Sequence, residues 1–240
     1  MIDFLSQIDT QVFLFLNSFH TPALDQFMML LSSKMVWVPM YVMIFAMVVH
    51  RYGFRGGIIV ALGVALAVTL ADQTCATLIR PLVHRLRPAN PDNPISSMVH
   101  IVWGYRGGSY GFPSCHAANT FAVATFLSLV FRRRRLLVVS LFAWAAFNCY
   151  SRMYLGVHYP GDIIVGGAIG SLMGYISYRI TGMVGMWILR HPLKPNHDMV
   201  HINFGSFIPE VNMSNAVLIC ATGVITTTIL LFISLYAYFV

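Results

Sequence analysis

The 240-residue chain is 58% hydrophobic and only 10% charged, with a mean hydropathy of +0.72. Soluble domains carry about 25% charged residues, so this composition excludes an ordinary soluble protein and predicts an integral membrane protein. The net charge of +7 would indicate nucleic acid or an acidic partner in a soluble chain. Here we attribute it to basic residues flanking membrane spans and to an anion site, with no nucleic-acid partner.

Residues 1–34 are predicted to form two short amphipathic helices at the membrane interface. Apolar residues recur there at helical spacing between scattered polar ones. A re-entrant or short spanning hairpin is the alternative. The chain starts Met1-Ile2-Asp3-Phe4, without the basic segment that a cleavable signal would need.

Six hydrophobic runs then follow, at 35–50, 56–79, 116–131, 136–153, 162–180 and 215–239. A 16-residue helix is about 24 Å long against a hydrocarbon core of about 30 Å, so the shorter runs draw flanking polar residues to the membrane boundary. We predict an all-α transmembrane bundle with its core at 35–180, a cytoplasmic loop at 181–214 and an additional C-terminal span at 215–240. Small residues at every fourth position predict close helix contacts: Gly63, Ala67, Ala71, and Gly166, Gly170, Gly174.

Basic residues distinguish the two faces of the bundle if the runs alternate in direction. One face carries nine of them: Arg51, Arg55, Arg132, Arg133, Arg134, Arg135, Arg179, Arg190 and Lys194. The other face carries six: Lys34, Arg80, Arg85, Arg87, Arg106 and Arg152. Because Lys and Arg concentrate in cytoplasmic loops, we expect the first face to be cytoplasmic and the second to lie outside.

Three polar clusters stand at the ends of hydrophobic runs and fall on that outer face: Arg80-Pro81-Leu82-Val83-His84-Arg85-Leu86-Arg87-Pro88, Pro113-Ser114-Cys115-His116, and Ser151-Arg152-Met153-Tyr154-Leu155-Gly156-Val157-His158-Tyr159-Pro160-Gly161-Asp162. Arg80 and Arg87 are two helical turns apart, so we expect them to point the same way. Two guanidiniums at a membrane surface suit an oxyanion such as phosphate. Anchoring to lipid headgroups is the alternative.

The second cluster opens an apolar helix. Free backbone N–H groups at such a start would cradle a phosphate, and His116 is placed to give a proton to a departing oxygen. A helix cap with an incidental histidine is the alternative.

The third cluster adds a guanidinium, Arg152, and a histidine that is suited to accept a phosphoryl group directly, His158. Asp162, four residues on, is expected to hold the other ring nitrogen. It is also placed to cap the helix that follows Pro160-Gly161.

Taken together, Arg80-x6-Arg87-Pro88, Pro113-Ser114-Cys115-His116 and Ser151-Arg152-x5-His158-x3-Asp162 resemble the three-part signature of the type 2 phosphatidic acid phosphatase family. Vanadium haloperoxidases and bacterial acid phosphatases share this signature, and the resemblance covers residues 56–180. It implies a haloperoxidase-like helical core and a metal-independent phosphohydrolase without a cofactor. It also implies a phosphohistidine on His158, His116 as general acid and Asp162 as the partner of His158, with phosphate bound by Arg80, Arg87, Ser114, Cys115 and Arg152.

The chain departs from the family pattern at two positions. The first motif position is usually Lys and is Arg80 here, which keeps the charge but changes the geometry. The third position of the second motif is commonly Gly and is Cys115 here, so its backbone amide is expected to be less free to approach phosphate. A cysteine-based phosphatase needs an Arg six residues after its nucleophile, and position 121 is Phe; that mechanism is excluded.

The resulting function hypothesis is a lipid phosphatase or diphosphatase on the outer face of a bacterial inner membrane. Its substrate would be of the undecaprenyl diphosphate, lipid A or phosphatidylglycerol phosphate type, and the loop 89–112 would set selectivity if it covers the headgroup. Two alternatives are a non-catalytic lipid-phosphate binding or transport protein and oxidation chemistry on bound vanadate.

Two further features are interpreted mainly as structural. The histidines and aspartate of the predicted cytoplasmic loop are more typical of a solvated loop than of a metal site: His191, His197, Asp198 and His201. Asp72, inside the second run, is expected either to orient an arginine or to line a polar cavity.

Overall fold

A computed structural model describes residues 2–131, 135–189 and 215–239. Within these ranges the chain forms eight α-helices: α1 (Ile2–Asn17), α2 (Pro22–Leu31), α3 (Val38–Gln73), α4 (Arg80–Val83), α5 (Cys115–Val130), α6 (Arg135–Tyr154), α7 (Pro160–Leu189) and α8 (Asn215–Phe239). Short helical turns lie at Met35–Trp37, Thr74–Ile79, Ser96–Met98 and Val102–Gly104, the second of them π-helical.

Helix α3 reverses direction at Gly53, whose φ of 72° and ψ of 171° break the helix. Glycine adopts positive φ without steric cost, so the sequence places this turn. A Cβ on Gly57 would lie 3.5 Å from the Cα of Val49, which means that the two arms, 38–52 and 54–73, turn back on each other.

Three helical segments are long and apolar enough to cross a membrane: Met35–Val83, Arg135–Tyr154 and Pro160–Gly185. Two shorter helical segments, Cys115–Val130 and Ile219–Leu235, are also apolar. When the two arms of α3 are counted separately, the described residues contain six apolar helical segments. The prediction of an all-helical membrane bundle is confirmed.

Helix α5 lies at the centre of the bundle and packs against α3, α6 and α7. Gly166, Gly170 and Gly174 of α7 face the segment that begins at Ser114 and continues into α5, and a Cβ on Gly170 would collide with the backbone of Ala118. A Cβ on Gly63 in α3 would likewise collide with Phe126 of α5. The predicted stripes of small residues therefore do allow close helix contacts, and these hold the starts of α5 and α7 side by side.

Helices α1 and α2 pack against the core: α1 contacts α6 and α7, and α2 contacts α6 and α8. The two predicted N-terminal helices are present. Their placement at the membrane interface stays a prediction.

The prediction of a loop beginning at residue 181 is wrong for 181–189, because α7 continues to Leu189. The residues from Met183 to Leu189 are mostly apolar and carry no helix-breaking proline, so nothing ends the helix at 180. Positions 190–214, including His191, His197, Asp198 and His201, lie outside the described residues.

The helical argument for Arg80 and Arg87 is also wrong. Helix α4 ends at Val83, and His84 takes a left-handed conformation with φ 51°. Arg87 therefore lies in an irregular segment, and tertiary contacts rather than helical periodicity bring it to the site.

Candidate active site

A short backbone pairing joins the first polar cluster to the segment before the second. Arg87 N donates to Ser109 O over 3.1 Å, and Gly111 N donates to Arg85 O over 2.9 Å. The loop 89–112 thus folds back on the first cluster and delivers the chain to Pro113.

The second and third clusters are joined directly by Ser114 N, which donates to the carbonyl of Asp162 over 3.0 Å. Both helix starts are involved, since Ser114 precedes α5 and Asp162 is the third residue of α7. The prediction that the three clusters converge is therefore met by the backbone itself.

His158 lies on the turn between α6 and α7 and is 2% exposed. Its Nδ1 is 3.4 Å from Oδ2 of Asp162, and its Nε2 is 3.1 Å from Nη1 of Arg87. Burial lowers the pKa of His158 to about 4, with Arg87 and Arg152 acting in the same direction and Asp162 against them. The imidazole is therefore neutral at pH 7.

The guanidinium of Arg87 fixes which ring nitrogen of His158 carries the proton. Arginine has only N–H donors, so Nε2 must accept from Arg87 with its lone pair. In a neutral ring the proton then sits on Nδ1, facing Asp162.

Asp162 is fully buried and accepts hydrogen bonds on both oxygens. Oδ1 accepts from Arg85 Nη1 over 2.8 Å, and Oδ2 accepts from the backbone N–H of Tyr159 over 2.9 Å. Pro160 and Gly161 are the first two residues of α7, so Asp162 is not the N-cap that the sequence predicted. It is the third helical residue and reaches back to the N-cap N–H, as the acidic residue of a capping box does.

Arg87 is 9% exposed and also donates from Nη1 to the carbonyl of Val157 over 3.1 Å. Burial, followed by the nearby charges of Arg152 and Arg80, lowers the pKa of Arg87 to about 10. The positive charges of Arg80, Arg87 and Arg152 repel one another, and an anion bound between them would relieve that repulsion.

Arg152, at the end of α6, donates to the hydroxyl of Ser32 and, over 3.0 Å, to the hydroxyl of Tyr105. Burial alone would raise the pKa of Tyr105, but the charge of Arg152 and its hydrogen bond lower it. The Nε atoms of Arg80, Arg87 and Arg152 are buried without a partner among the described residues. Each motif arginine thus keeps a donor for a further acceptor.

Arg80 reaches the second cluster. Its Nη2 donates to the carbonyl of Pro113 over 3.1 Å and to Sγ of Cys115 over 2.8 Å. Arg80 and Cys115 therefore contact each other at the phosphate-binding end predicted for both.

Ser114 is buried and serves as the N-cap of α5, since its Oγ accepts from the N–H of Ala117 over 3.3 Å. The interpretation of Ser114 as a helix cap is therefore confirmed. Because its Oγ acts as an acceptor in this contact, the hydroxyl hydrogen remains available to a phosphate oxygen. His116 is half-buried and lies within electrostatic range of Arg152 and His158.

An apolar cavity of about 370 Å³ opens beside His116. Its wall contains Lys34, Asn119 and Trp144, together with both arms of α3. Asp72 accepts from Nδ2 of Asn119, a residue of this wall, over 3.0 Å. Asp72 is not itself in the cavity wall, so its expected role as a polar lining residue stays a prediction. Among the described residues Asp72 makes no ion pair with an arginine.

Sequence reasoning missed four residues of the site: Asp9, Ser32, Arg85 and Tyr105. Arg85 lay inside the first cluster, and Tyr105 inside the loop assigned to selectivity, but neither had a motif position to mark it. Asp9 and Ser32 are far from all three clusters in sequence and left no signal.

Comparison with known proteins decides the family. A model of the PAP2 superfamily matches residues 57–186. The chain belongs to the PAP2 superfamily. The resemblance to type 2 phosphatidic acid phosphatases is thereby confirmed, and the protein is a membrane phosphatase, a phosphoric-ester hydrolase of a family that works without metal.

Two curated PAP2 relatives carry the same description. The lipid A 4'-phosphatase of Bacteroides thetaiotaomicron is 48% identical over 181 residues, which cover 75% of this chain and 80% of the relative. The lipid A 4'-phosphatase of Porphyromonas gingivalis is 32% identical over 179 residues and 75% of each chain. An undecaprenyl-diphosphatase of Sulfolobus acidocaldarius is 25% identical over 72% of this chain and 78% of the relative.

Solved structures of PAP2 phosphatases share the fold. The crystal structure of LpxE from Aquifex aeolicus matches with a TM-score of 0.54 and 27% identity, covering 71% of this chain and 94% of that one. A PAP2-type phosphatidylglycerolphosphate phosphatase from Bacillus subtilis matches in fold with a TM-score of 0.54 at 19% identity, over 75% and 87% of the two chains.

Proposed function

We propose that this PAP2 phosphatase removes the 4'-phosphate of lipid A through a phosphohistidine on His158, at the outer face of a bacterial inner membrane. The observation that carries the mechanism is the 3.1 Å contact between Arg87 Nη1 and His158 Nε2. It leaves the lone pair of a neutral imidazole directed at the guanidinium that would hold the phosphoryl oxygens.

Nucleophilic attack begins from that lone pair once the phosphate oxygens take over the Arg87 donor from which it accepts in this structure. As Nε2 bonds to phosphorus, the ring becomes cationic, and Asp162 on the Nδ1 side stabilises the developing charge. Arg80, Arg87, Arg152 and the hydroxyl of Ser114 would hold the equatorial oxygens, where charge spreads in phosphoryl transfer.

The departing sugar oxygen needs a proton, and His116 is proposed to supply it. The same histidine, after losing its proton, would take one from the water that hydrolyses the phosphohistidine. Bonds balance over the two steps: the P–O ester bond breaks as P–N forms, then P–N breaks as P–O to water forms.

The cavity beside His116 supports a lipid substrate, because the lipid leaves from the side on which His116 lies. Its wall is apolar along α3 and α5, with residues such as Val60, Val64 and Val123. An acyl chain placed there buries its surface at about 25 cal/mol per Å². Two lipid A 4'-phosphatases among the relatives favour lipid A over the other lipid classes.

The orientation rests on the distribution of charge. Tyr52, beside the turn of α3, donates to the carbonyl of Val130 at the end of α5 over 3.3 Å, so Arg51 and Arg55 lie at the same end of the bundle as the end of α5. In the sequence, the basic run 132–135 follows directly after that helix. The phosphate-binding arginines lie at the other end. By the positive-inside rule the first end would be cytoplasmic and the site would face outward.

The test is phosphate release by the purified protein from lipid A, undecaprenyl diphosphate and phosphatidylglycerol phosphate, with a chelator present throughout. We expect release from the 4' position of lipid A, inhibition by vanadate, and no turnover by His158→Ala, whereas His50→Ala at the opposite end stays active. Preference for another lipid would reassign the substrate. Full activity in His158→Ala would reject the mechanism, and tight lipid binding without release would favour a transport protein.

A further inference from the structure

Helix α1 lies outside the 57–186 segment matched by the PAP2 model, yet one of its faces docks on the third cluster. Asp9, Phe13 and Asn17 are spaced by four residues and so lie on one side of the helix. Asn17 Nδ2 donates to the carbonyl of Tyr154 over 2.8 Å, and its Oδ1 accepts from the N–H of His100 over 2.8 Å. The ring of Phe13 packs edge-on against Tyr159 with centroids 5.4 Å apart.

The side of α1 that faces away from this stripe carries the exposed apolar side chains of Phe4, Ile8 and Phe15. A soluble helix would show the reverse pattern. With lipid against the apolar side, the polar residues on the inner side are free to make specific contacts with the catalytic core.

Asp9 makes two of these contacts. Its Oδ1 accepts from the backbone N–H of Gly161 over 2.7 Å, at the positive N-terminal end of α7. Its Oδ2 accepts from Nη2 of Arg85 over 2.6 Å. The side chain of Asp9 is only 15% exposed, so solvent screens these contacts weakly.

Arg85 connects Asp9 to Asp162, the carboxylate that lies beside His158. Its Nη2 holds Asp9, its Nη1 holds Oδ1 of Asp162 over 2.8 Å, and its guanidinium lies 3.9 Å from the ring centre of Tyr159. A planar guanidinium with donors on two sides is fixed in direction when both sides are occupied. If Asp9 is removed, Arg85 can rotate away from Asp162, and Asp162 loses its hold on His158.

We propose that Asp9 is a positioning residue for phosphoryl transfer, acting through Arg85 and Asp162 on His158, and that α1 is a working part of the active site. The proposal rests on the proposed role of His158 as nucleophile. Asp9 itself does not touch the substrate, because its two oxygens are occupied by Gly161 and Arg85.

The test compares Asp9→Asn with wild type in the purified full-length protein. We expect kcat to fall by ~10-fold or more, since small misplacements of a reacting group are costly. KM and competitive inhibition by inorganic phosphate should not change, because the arginines that bind phosphate keep their contacts. Asp3→Asn is the matched control: it is the same change on the same helix, at an exposed position, and should keep wild-type kcat.

A double-mutant cycle separates positioning from mere folding. Once Arg85→Gln has broken the chain of contacts, adding Asp9→Asn should lower kcat no further. Gly161→Ala gives a second variant, which disturbs the same contact without removing any charge. Its new Cβ would lie 2.8 Å from Oδ2 of Asp9 and displace the carboxylate. It too should lower kcat.

Unchanged kcat in folded Asp9→Asn or in Gly161→Ala would overturn the proposal, as would fully additive losses in the cycle. A fall in the yield of folded protein with normal kcat would show a purely structural role and overturn it as well. His158→Ala in the same assay distinguishes the two levels: if His158→Ala is inactive and Asp9→Asn is normal, only this inference fails.

Discussion

Arg80 and Cys115, the two positions at which this chain departs from its family's usual residues, are in direct contact: Nη2 of Arg80 donates to Sγ of Cys115 over 2.8 Å. In the usual pair, Lys and Gly, a lysine would donate from a single nitrogen and a glycine would leave the first amide of α5 uncovered. The two departures therefore interact directly, and the guanidinium of Arg80 binds both the thiol of Cys115 and the carbonyl of Pro113.

Exchange of this pair should be non-additive. Arg80→Lys alone should lower kcat/KM, since the shorter ammonium cannot reach both acceptors and still bind phosphate. Adding Cys115→Gly should restore part of the loss. A double-mutant cycle on kcat/KM measures the coupling, and independent, additive effects would show that the contact has no functional weight.

The long-range part of the site could not be predicted for a physical reason. Periodicity and motif spacing report on neighbours along the chain, and they located the clusters around Arg80, Ser114 and His158 correctly. The contact of Arg85 with Asp9 spans 76 residues and that of Gly161 with Asp9 spans 152. No local pattern encodes such pairs.

The fold shows the same division. Small-residue stripes correctly predicted close helix contacts, because such contacts need only a repeating space along one helix face. That the stripe of α7 packs against α5 is known only from the structure. The shared direction of Arg80 and Arg87 was argued from a helix that ends at Val83. The single left-handed residue His84 decides that ending, and its sequence context gives no sign of it.

Close packing of α5 and α7 predicts a stability effect at Gly170. Gly170→Ala should lower the thermal unfolding temperature in detergent by an amount corresponding to about 1–3 kcal/mol, because the new methyl group would meet the rigid backbone of Ala118. Gly182→Ala, on the same helix with nothing within 4 Å of its Cβ, should leave the temperature unchanged or raise it slightly. Equal effects at both positions would contradict the close contact.

Burial of His158 beside Asp162 predicts that this histidine titrates at an unusually low pH. The pKa of His158 is lowered from 6.5 to about 4, so its neutral fraction stays high as the pH falls from 7 to 5, and the nucleophile is not lost in that range. Below about 4 the ring becomes protonated and attack stops. NMR of labelled histidine, with His158→Gln to identify the signal, measures the midpoint; a value near 6.5 would mean that the ring is exposed to water.

The cavity beside His116 predicts a chain-length effect. Val64→Trp should fill the apolar wall and raise KM for a long-chain lipid phosphate while leaving hydrolysis of a short soluble phosphate ester unchanged. Leu62→Trp, on the same arm of α3 but 65% exposed, is the control. If both variants affect both substrates alike, the cavity does not hold the lipid.

The proposed outward orientation of the phosphate site predicts that residues at this end of the bundle are labelled only from outside the cell. In a variant without the native cysteines, Asp92→Cys should react with an impermeant maleimide added to spheroplasts, and Arg55→Cys should react only after lysis. The reverse result would place the phosphate site in the cytoplasm.

The central claim is that the phosphoryl group passes through the protein on its way to water, and the stereochemical course at phosphorus tests it most directly. Each in-line displacement inverts the configuration, so transfer to His158 followed by hydrolysis gives net retention. With a thiophosphate ester made chiral at phosphorus by two oxygen isotopes, and with hydrolysis in water of the third isotope, the account predicts retained configuration in the released thiophosphate. Inverted configuration would mean direct attack by water and would contradict the role assigned to His158.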